Sequence, residues 1–310
     1  MRVAVVDIGT NSTRLLIADV EPDGTVTELD RRSTVTRLGQ GVDVSGTLHE
    51  DAMERVFAAL APYREAADAL GVEVTTGVLT SAVRDASNGA AFQAQVRERF
   101  GFAVETITGD REAQLTFRGA TSDHDVDERD GPIVVLDIGG GSTEFVVGRR
   151  GEVTFHVSTQ VGVVRMTERH VHHDPPRHDE LEAMADEVRA IFHDELPPDV
   201  RADARWAIAV AGTATSAAAI LLELEPYDAD RVHGHVIYRA EVEMLLARLA
   251  EMDEAQRRRL PGLQPDRAPT IIAGMVVLAE ALRALGLDEA EVSEHDILRG
   301  AALACVLDRG

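Results

Sequence analysis

At 310 residues with 45% hydrophobic side chains, the chain is long enough for two domains, each with a core of its own. Its 54 acidic against 31 basic residues give a formal charge of −23, a field that repels nucleic acid and anionic membrane surfaces. Every basic residue is Arg and none is Lys, so a phosphate ligand would need a divalent cation and a local cluster of guanidinium forks to overcome the same repulsion. The acid excess is equally consistent with a lineage-wide habit such as salt adaptation. Cys305 is the only cysteine, which excludes an intramolecular disulfide and fits a reducing cytoplasm. Asp7 interrupts the N-terminal apolar run where a signal peptide would need continuity, and no stretch approaches the ~20 apolar residues of a membrane span.

The chain opens on an apolar run, Val5-Val6, that ends in Asp7-Ile8-Gly9-Thr10-Asn11-Ser12-Thr13-Arg14. Leu15 to Val20, the turn Pro22-Asp23-Gly24 and Thr25-Val26-Thr27 read as a strand, a loop and a strand. Ser33 to Leu38 reads as a third strand and Gly39-Gln40-Gly41 as a turn. Thr47 is placed to cap a helix from Leu48, in which Met53, Val56, Phe57 and Leu60 recur at helical spacing and Gly71 marks the end. Val72 to Leu79 alternates as a strand and delivers Thr80-Ser81-Ala82-Val83-Arg84-Asp85 to one sheet edge. A helix over Gly89 to Phe100 and a strand over Phe102 to Ile107 lead to Gly109-Asp110-Arg111-Glu112. There Asp110 is a candidate cap, and Glu112 sits in a first helical turn that favours acidic residues in any case. The polar stretch from Ser122 to Gly131 reads as a linker, which divides the chain into domains 1–125 and 126–310.

The second half begins with Ile133-Val134-Val135-Leu136, then Asp137-Ile138-Gly139-Gly140-Gly141-Ser142-Thr143-Glu144-Phe145. Consecutive glycines let the backbone approach a bulky anion with its N–H groups, and Asp137 is placed to hold a cation against that anion. Aligned on Asp7 and Asp137, the first motif repeats this one at Ile8, Gly9, Ser12 and Thr13, so the chain reads as two duplicated halves. The histidines between His170 and His178 sit among prolines without a second ligand set, and a solvated loop is the simpler reading than a metal cluster. A helix follows over Asp179 to Leu196. Trp206 to Val210 is a strand that empties into Ala211-Gly212-Thr213-Ala214-Thr215-Ser216, where small residues serve either an anion at a helix N-terminus or close packing. Further helices fall at Arg239 to Met252, Ala268 to Leu285 and Asp296 to Leu307, with a short strand at Val292-Ser293. Arg257-Arg258-Arg259 reads as a charged helix exit, or as a contact for a long anion.

Together these motifs resemble the exopolyphosphatase and guanosine pentaphosphate phosphohydrolase (Ppx/GppA) family in its short two-domain form. The resemblance is carried by Asp7 to Ser12, Arg37 to Gly41, Thr80 to Asn88, Gly109 to Ala113, Asp137 to Phe145, Val161 to Arg165 and Ala211 to Thr215, and it covers nearly the whole chain. It implies an α/β fold of two ribonuclease-H-like domains of the actin-like ATPase superfamily facing across a cleft. It also implies Mg²⁺-dependent hydrolysis of the terminal phosphate of inorganic polyphosphate, with guanosine pentaphosphate as a second substrate. Under it Glu112 is the general base on water and Glu144 assists. Asp137 holds Mg²⁺, joined by Asp7 through water. Asn11, Ser12, Thr13, Gly139, Gly140, Gly141, Ser142, Thr143, Gly212 and Thr213 cradle phosphates, and Arg84 clamps one of them. Longer relatives carry an additional C-terminal helical domain, so the short form implies short polyphosphate chains. Homodimers occur among its members, and the expected location is cytoplasmic. Arg111, beside the base, is expected to lower the basicity of Glu112 or to meet the incoming anion. An ATP-dependent kinase of the same superfamily and a non-catalytic polyphosphate or nucleotide sensor are the alternatives; the Glu112 and Glu144 pair, serving a water rather than a sugar hydroxyl, argues against the first, and intact acid, base and metal-ligand residue types against the second.

Overall fold

The computed structural model describes residues 1–124, 131–149 and 151–308. In chain order the first run contains β1 (Arg2–Ile8), β2 (Ser12–Val20), β3 (Val26–Val35), α1 (Val42–Ser45), α2 (Glu50–Ala69), β4 (Val74–Leu79), α3 (Ser81–Asp85), α4 (Gly89–Phe100), β5 (Ala103–Thr106) and α5 (Gly109–Ala120). The second contains β6 (Ile133–Ile138), β7 (Thr143–Arg149), β8 (Glu152–Thr159), α6 (Val163–His170), α7 (His178–Glu195), α8 (Pro198–Asp203), β9 (Trp206–Val210), α9 (Ala211–Leu221), α10 (Ala229–Val232), β10 (Val236–Tyr238), α11 (Arg239–Ala250), α12 (Glu254–Arg257), a 3₁₀ turn, α13 (Ile271–Ala284) and β11 (Glu289–Val292). The chain closes with α14 (Ile297–Leu307). No helix among the described residues is long and apolar enough to cross a membrane.

Two compact units form, Met1–Ser122 with Asp296–Gly310, and Asp123–His295. The first sheet runs β3-β2-β1-β4-β5, with β1, β4 and β5 parallel and the β1-β2-β3 meander antiparallel. The second repeats that order as β8-β7-β6-β9-β11 and adds β10 at the far edge. Each unit is therefore a ribonuclease-H-like domain, as the duplicated motif implies. Alternation along β1 sends Ala4, Val6 and Ile8 to a core built on α2 and α4, and Val3 and Val5 to one built on α14. In the second unit the buried α13 packs with α7 and α11 over the face bearing Val134, Leu136 and Ile138.

The division differs from the expected one in two respects. The expected boundary between 125 and 126 lies outside the described residues. The closing helix α14, assigned by sequence to the second half, belongs to the first unit, where Ile297, Leu298, Ala301, Ala302 and Leu303 bury against β1, β2 and α5. Glycines permit this crossing. A Cβ on Gly300 would lie 1.8 Å from the Leu115 carbonyl oxygen, and one on Gly119 would lie 1.8 Å from that of Asp296. Gly300→Val should therefore force the helices apart, at a cost of about 3 kcal/mol in unfolding free energy measured by denaturant titration.

Local departures have simple causes. The separate strand expected over Ser33 to Leu38 is the end of the ten-residue β3, an edge strand half-exposed along its length, so no hydrophobic period announces it. His49, not Thr47, caps α2, its imidazole accepting from Asp51 N. Thr108, not Asp110, caps α5 by accepting from Arg111 N.

Candidate active site

Because β1, β4 and β5 are parallel, the loops that follow them leave one edge of the first sheet, the usual ligand edge of such folds. Three sequence-distant segments meet there. The first turn is closed by Gly9 N donating to Ser12 O at 3.0 Å, and it is braced from outside by Thr36 N and Arg37 N, each 2.9 Å from Asn11 O. Thr10 Oγ1 lies 3.0 Å from Ser81 Oγ, tying this turn to the loop after β4. Arg84, at the end of α3, donates from one Nη1 to Ile107 O and to Glu112 Oε2, both at 3.1 Å. Glu112 itself comes from the first turn of α5, with its side chain 12% exposed. Burial pushes its carboxyl above the usual glutamate range. Arg84 opposes that shift, while the charges of Asp7 and Asp85 add to it. The result is a poorly hydrated carboxylate of raised basicity, the property a general base requires.

Asp7 lies opposite Arg14 in the β1-β2 ladder, and Arg14 Nη2 holds its Oδ2 at 2.6 Å. Arg14 also reaches Asp296, the cap of α14. Burial raises the Asp7 carboxyl, Arg14 opposes this and Asp296 reinforces it. The other carboxylate oxygen, Oδ1, is buried without a hydrogen-bond partner, as is Asn11 Oδ1. Orphaned hard oxygens of this kind fit a divalent cation or its bound water.

In the second unit the loops after β6, β9 and β11 likewise share one edge. The turn repeats its counterpart, with Gly139 N donating to Ser142 O at 2.9 Å. Its carbonyls are engaged by the N-terminus of α6: Val163 N reaches Gly139 O and Val164 N reaches Gly140 O, both at 2.9 Å, and Arg165 Nε reaches Gly141 O at 2.9 Å. That leaves the N–H side of Gly140, Gly141 and Ser142 as what the turn offers an anion. Only a residue without a side chain fits at 162, where a Cβ would stand 2.3 Å from Gly140 O. Asp137 and Glu144 are directly opposite across the β6-β7 ladder, and Ser158 Oγ on β8 donates to Glu144 Oε1 at 2.7 Å. Adjacent carboxylates in a ladder repel. A cation held by Asp137 would relieve the repulsion, so this edge fits Mg²⁺ on Asp137 with Glu144 beside it. The duplicated turns thus differ in charge beside the metal candidate: the residue facing the motif aspartate is Arg14 in the first unit and Glu144 in the second.

The first turn of α9, which follows β9 directly, brings Gly212 and Thr213 to the same edge, where Thr213 Oγ1 donates to Ile138 O at 3.2 Å. Ala211 before them takes a left-handed φ of 64°, a strained setting for a residue with a side chain.

Other expectations change. Thr13 and Thr143 are fully buried, with hydroxyls turned to Thr36 Oγ1 at 3.0 Å and Val161 O at 2.6 Å, so neither side chain is available to a phosphate. Their β-branched shape serves the strands that carry the turns. Arg111 reaches Asp308 at 3.4 Å rather than Glu112. In the triplet, Arg257 is buried on Ala268 O and Asp174, a structural role, and Arg258 pairs with Glu254. His170 and His173 pair with Glu187 and Glu180, each at 2.7 Å, and the His173 bond helps hold Glu180 down at about 2. Each of these two histidines is thus engaged by a glutamate, His173 at the surface and His170 largely buried, where a solvated loop was expected. Sequence reading missed Arg267, whose guanidinium fills the space over Gly212: a Cβ there would lie 1.7 Å from its Nη1. The 54 residues of chain between them hid that pairing.

Comparison with known proteins places the chain in one family. The family model for the Ppx/GppA phosphatase family matches residues 16–303. Exopolyphosphatase 2 of Mycobacterium tuberculosis is 39% identical over 319 aligned residues, covering 98% of each chain. A bifunctional 3-dehydroquinate synthase/phosphatase of Fusobacterium nucleatum is 33% identical over 97% of this chain and 46% of its own length. Among solved structures, an exopolyphosphatase-like protein superposes with a TM-score of 0.92 at 31% identity over the whole of both chains. The Aquifex aeolicus Ppx/GppA family member gives 0.83 at 30% identity, covering 100% of this chain and 99% of that one.

Proposed function

The chain belongs to the Ppx/GppA phosphatase family, and from that premise we propose that it hydrolyses the terminal phosphoanhydride bond of inorganic polyphosphate with Mg²⁺ as cofactor. The observation that carries this reading is Glu112, a largely buried carboxylate of raised basicity held by Arg84 at the ligand edge of its sheet. In the reaction, Glu112 takes a proton from a water as the water oxygen bonds to the terminal phosphorus. The bond from that phosphorus to the bridging oxygen breaks, releasing inorganic phosphate and leaving the bridging oxygen on the shortened chain.

Phosphoryl transfer of this kind needs positioning and charge neutralisation more than covalent chemistry. Arg84 supplies a guanidinium at the base, and the N–H groups of Gly140, Gly141 and Ser142 supply dipoles for phosphate oxygens. Asn11, Ser12, Gly139, Gly212 and Thr213 extend the cradle. Asp137, with Asp7 through water, would hold Mg²⁺, which when bound neutralises phosphate charge. Glu144, fixed by Ser158, assists at the water. Guanosine pentaphosphate is the second substrate in this reading, and the location is the cytoplasm, consistent with a single cysteine.

The test is phosphate release, with and without Mg²⁺, from polyphosphate of defined lengths, guanosine pentaphosphate, and ATP with a sugar acceptor. Release from short polyphosphate should exceed release from very long chains. Equal turnover of both lengths would remove the short-chain preference, and consumption of ATP only when the sugar is present would replace the hydrolase by a kinase.

A further inference from the structure

At the same edge of the second sheet, two strands away from β6, three potential metal ligands converge that the phosphate chemistry leaves unused. Asp123 is the first residue of the second unit and His295 the last, and His233 precedes the edge strand β10. One ligand atom from each lies within 4.8 Å of the other two. His233 Nε2 is 3.3 Å from Asp123 Oδ2, and His295 Nδ1 meets the same oxygen. The two imidazoles lie against each other, with ring centroids 4.3 Å apart and planes inclined by 41°. All three side chains are partly buried, at 29%, 35% and 16% exposure for His233, Asp123 and His295, so the cluster is ordered by its surroundings yet open to an ion.

We propose that Asp123, His233 and His295 form a binding site for a divalent transition metal of the zinc class, separate from the Mg²⁺ proposed for catalysis. Two imidazole nitrogens and one carboxylate are the donor types zinc takes, at roughly 2.0–2.2 Å, with a fourth position left for water. Mg²⁺ prefers an octahedron of oxygens, so this donor set selects against it. The imidazole orientations are supported from behind. Ser293 Oγ stands 3.4 Å from His233 Nδ1 while donating to His295 O at 3.2 Å, and Glu294 N–H points at the same Nδ1 from 3.3 Å. Binding a metal at Nε2 puts the ring proton on Nδ1, which exchanges the bond accepted there from Glu294 N–H for one donated to Ser293 Oγ. The ion would join the first residue of the second unit to its last and to the loop before β10, closing the ends of the unit Asp123–His295. A crosslink of that span removes loop entropy from the unfolded chain.

The test uses the full chain, stripped with a chelator and titrated with Co²⁺ and then Zn²⁺. A saturable visible Co²⁺ spectrum at one equivalent, displaced by Zn²⁺ and accompanied by a higher Tm, is the expected result. His233→Ala and His295→Ala should each weaken binding by at least about a hundredfold. Asp123→Asn, which preserves shape should the histidine variants fail to fold, should do the same. His170→Ala and Asp137→Asn should leave the spectrum unchanged. No saturable Co²⁺ signal, or a signal that survives Asp123→Asn and both histidine variants, would overturn the site. Phosphate release plays no part in this readout, so its outcome is independent of the proposed activity.

Discussion

Glu112→Gln should lower kcat for phosphate release by about 10²–10⁴-fold while KM changes little, because it removes a proton acceptor used only in the transition state. The substitution preserves the size of the side chain and an oxygen for Arg84, whose Nη1 lies 3.1 Å from Glu112 Oε2, so loss of fold is not the expected cause. A pH profile sharpens the test. The base works only when ionised, and burial with the Asp7 and Asp85 charges raises its proton affinity against the opposing pull of Arg84. In the wild-type chain kcat/KM should therefore fall on acidification through a midpoint above the ordinary glutamate range. The same limb should be missing from the residual activity of the Gln variant. Release that survives the substitution undiminished would remove Glu112 from the role.

The second large effect is expected at the metal. Asp137→Asn should raise the Mg²⁺ concentration for half-maximal phosphate release by at least about tenfold, and Asp7→Asn by less. The difference follows from the ladder partners. Asp7 already commits Oδ2 to Arg14 at 2.6 Å and has only Oδ1 to offer, whereas Asp137 faces a second carboxylate, Glu144. Titrating Mg²⁺ against both variants checks the ranking. A larger shift for Asp7→Asn would make the first unit the principal metal holder.

Much of this was legible in the chain. Strongly periodic or fully apolar segments announced their elements, such as α4, β9 and α13, because burial imposes a period that composition reveals. The repeat of Asp, Ile, Gly, Ser and Thr at Asp7 and Asp137 announced two matching halves, and both turns close with the same glycine-to-serine hydrogen bond. Edge strands were harder. β3 is partly or fully exposed along its length and rich in charged residues, and β10, though apolar, is only three residues long, too short to show a period.

The sequence by itself determined the residue types and their local settings: a carboxylate in the first turn of α5, glycines after two strands and an aspartate at the end of each. These are properties of short segments, governed by backbone freedom, capping and side-chain chemistry. Tertiary structure decided which of them meet. It put α14 on the first unit through the Gly119 and Gly300 crossing, turned Thr13 and Thr143 inward, sent Arg111 to Asp308 and set Arg267 over Gly212. It also gathered Asp123, His233 and His295 from three distant places. The physical reason is that such pairings depend on strand order and helix packing across tens to hundreds of residues. No local propensity encodes that separation.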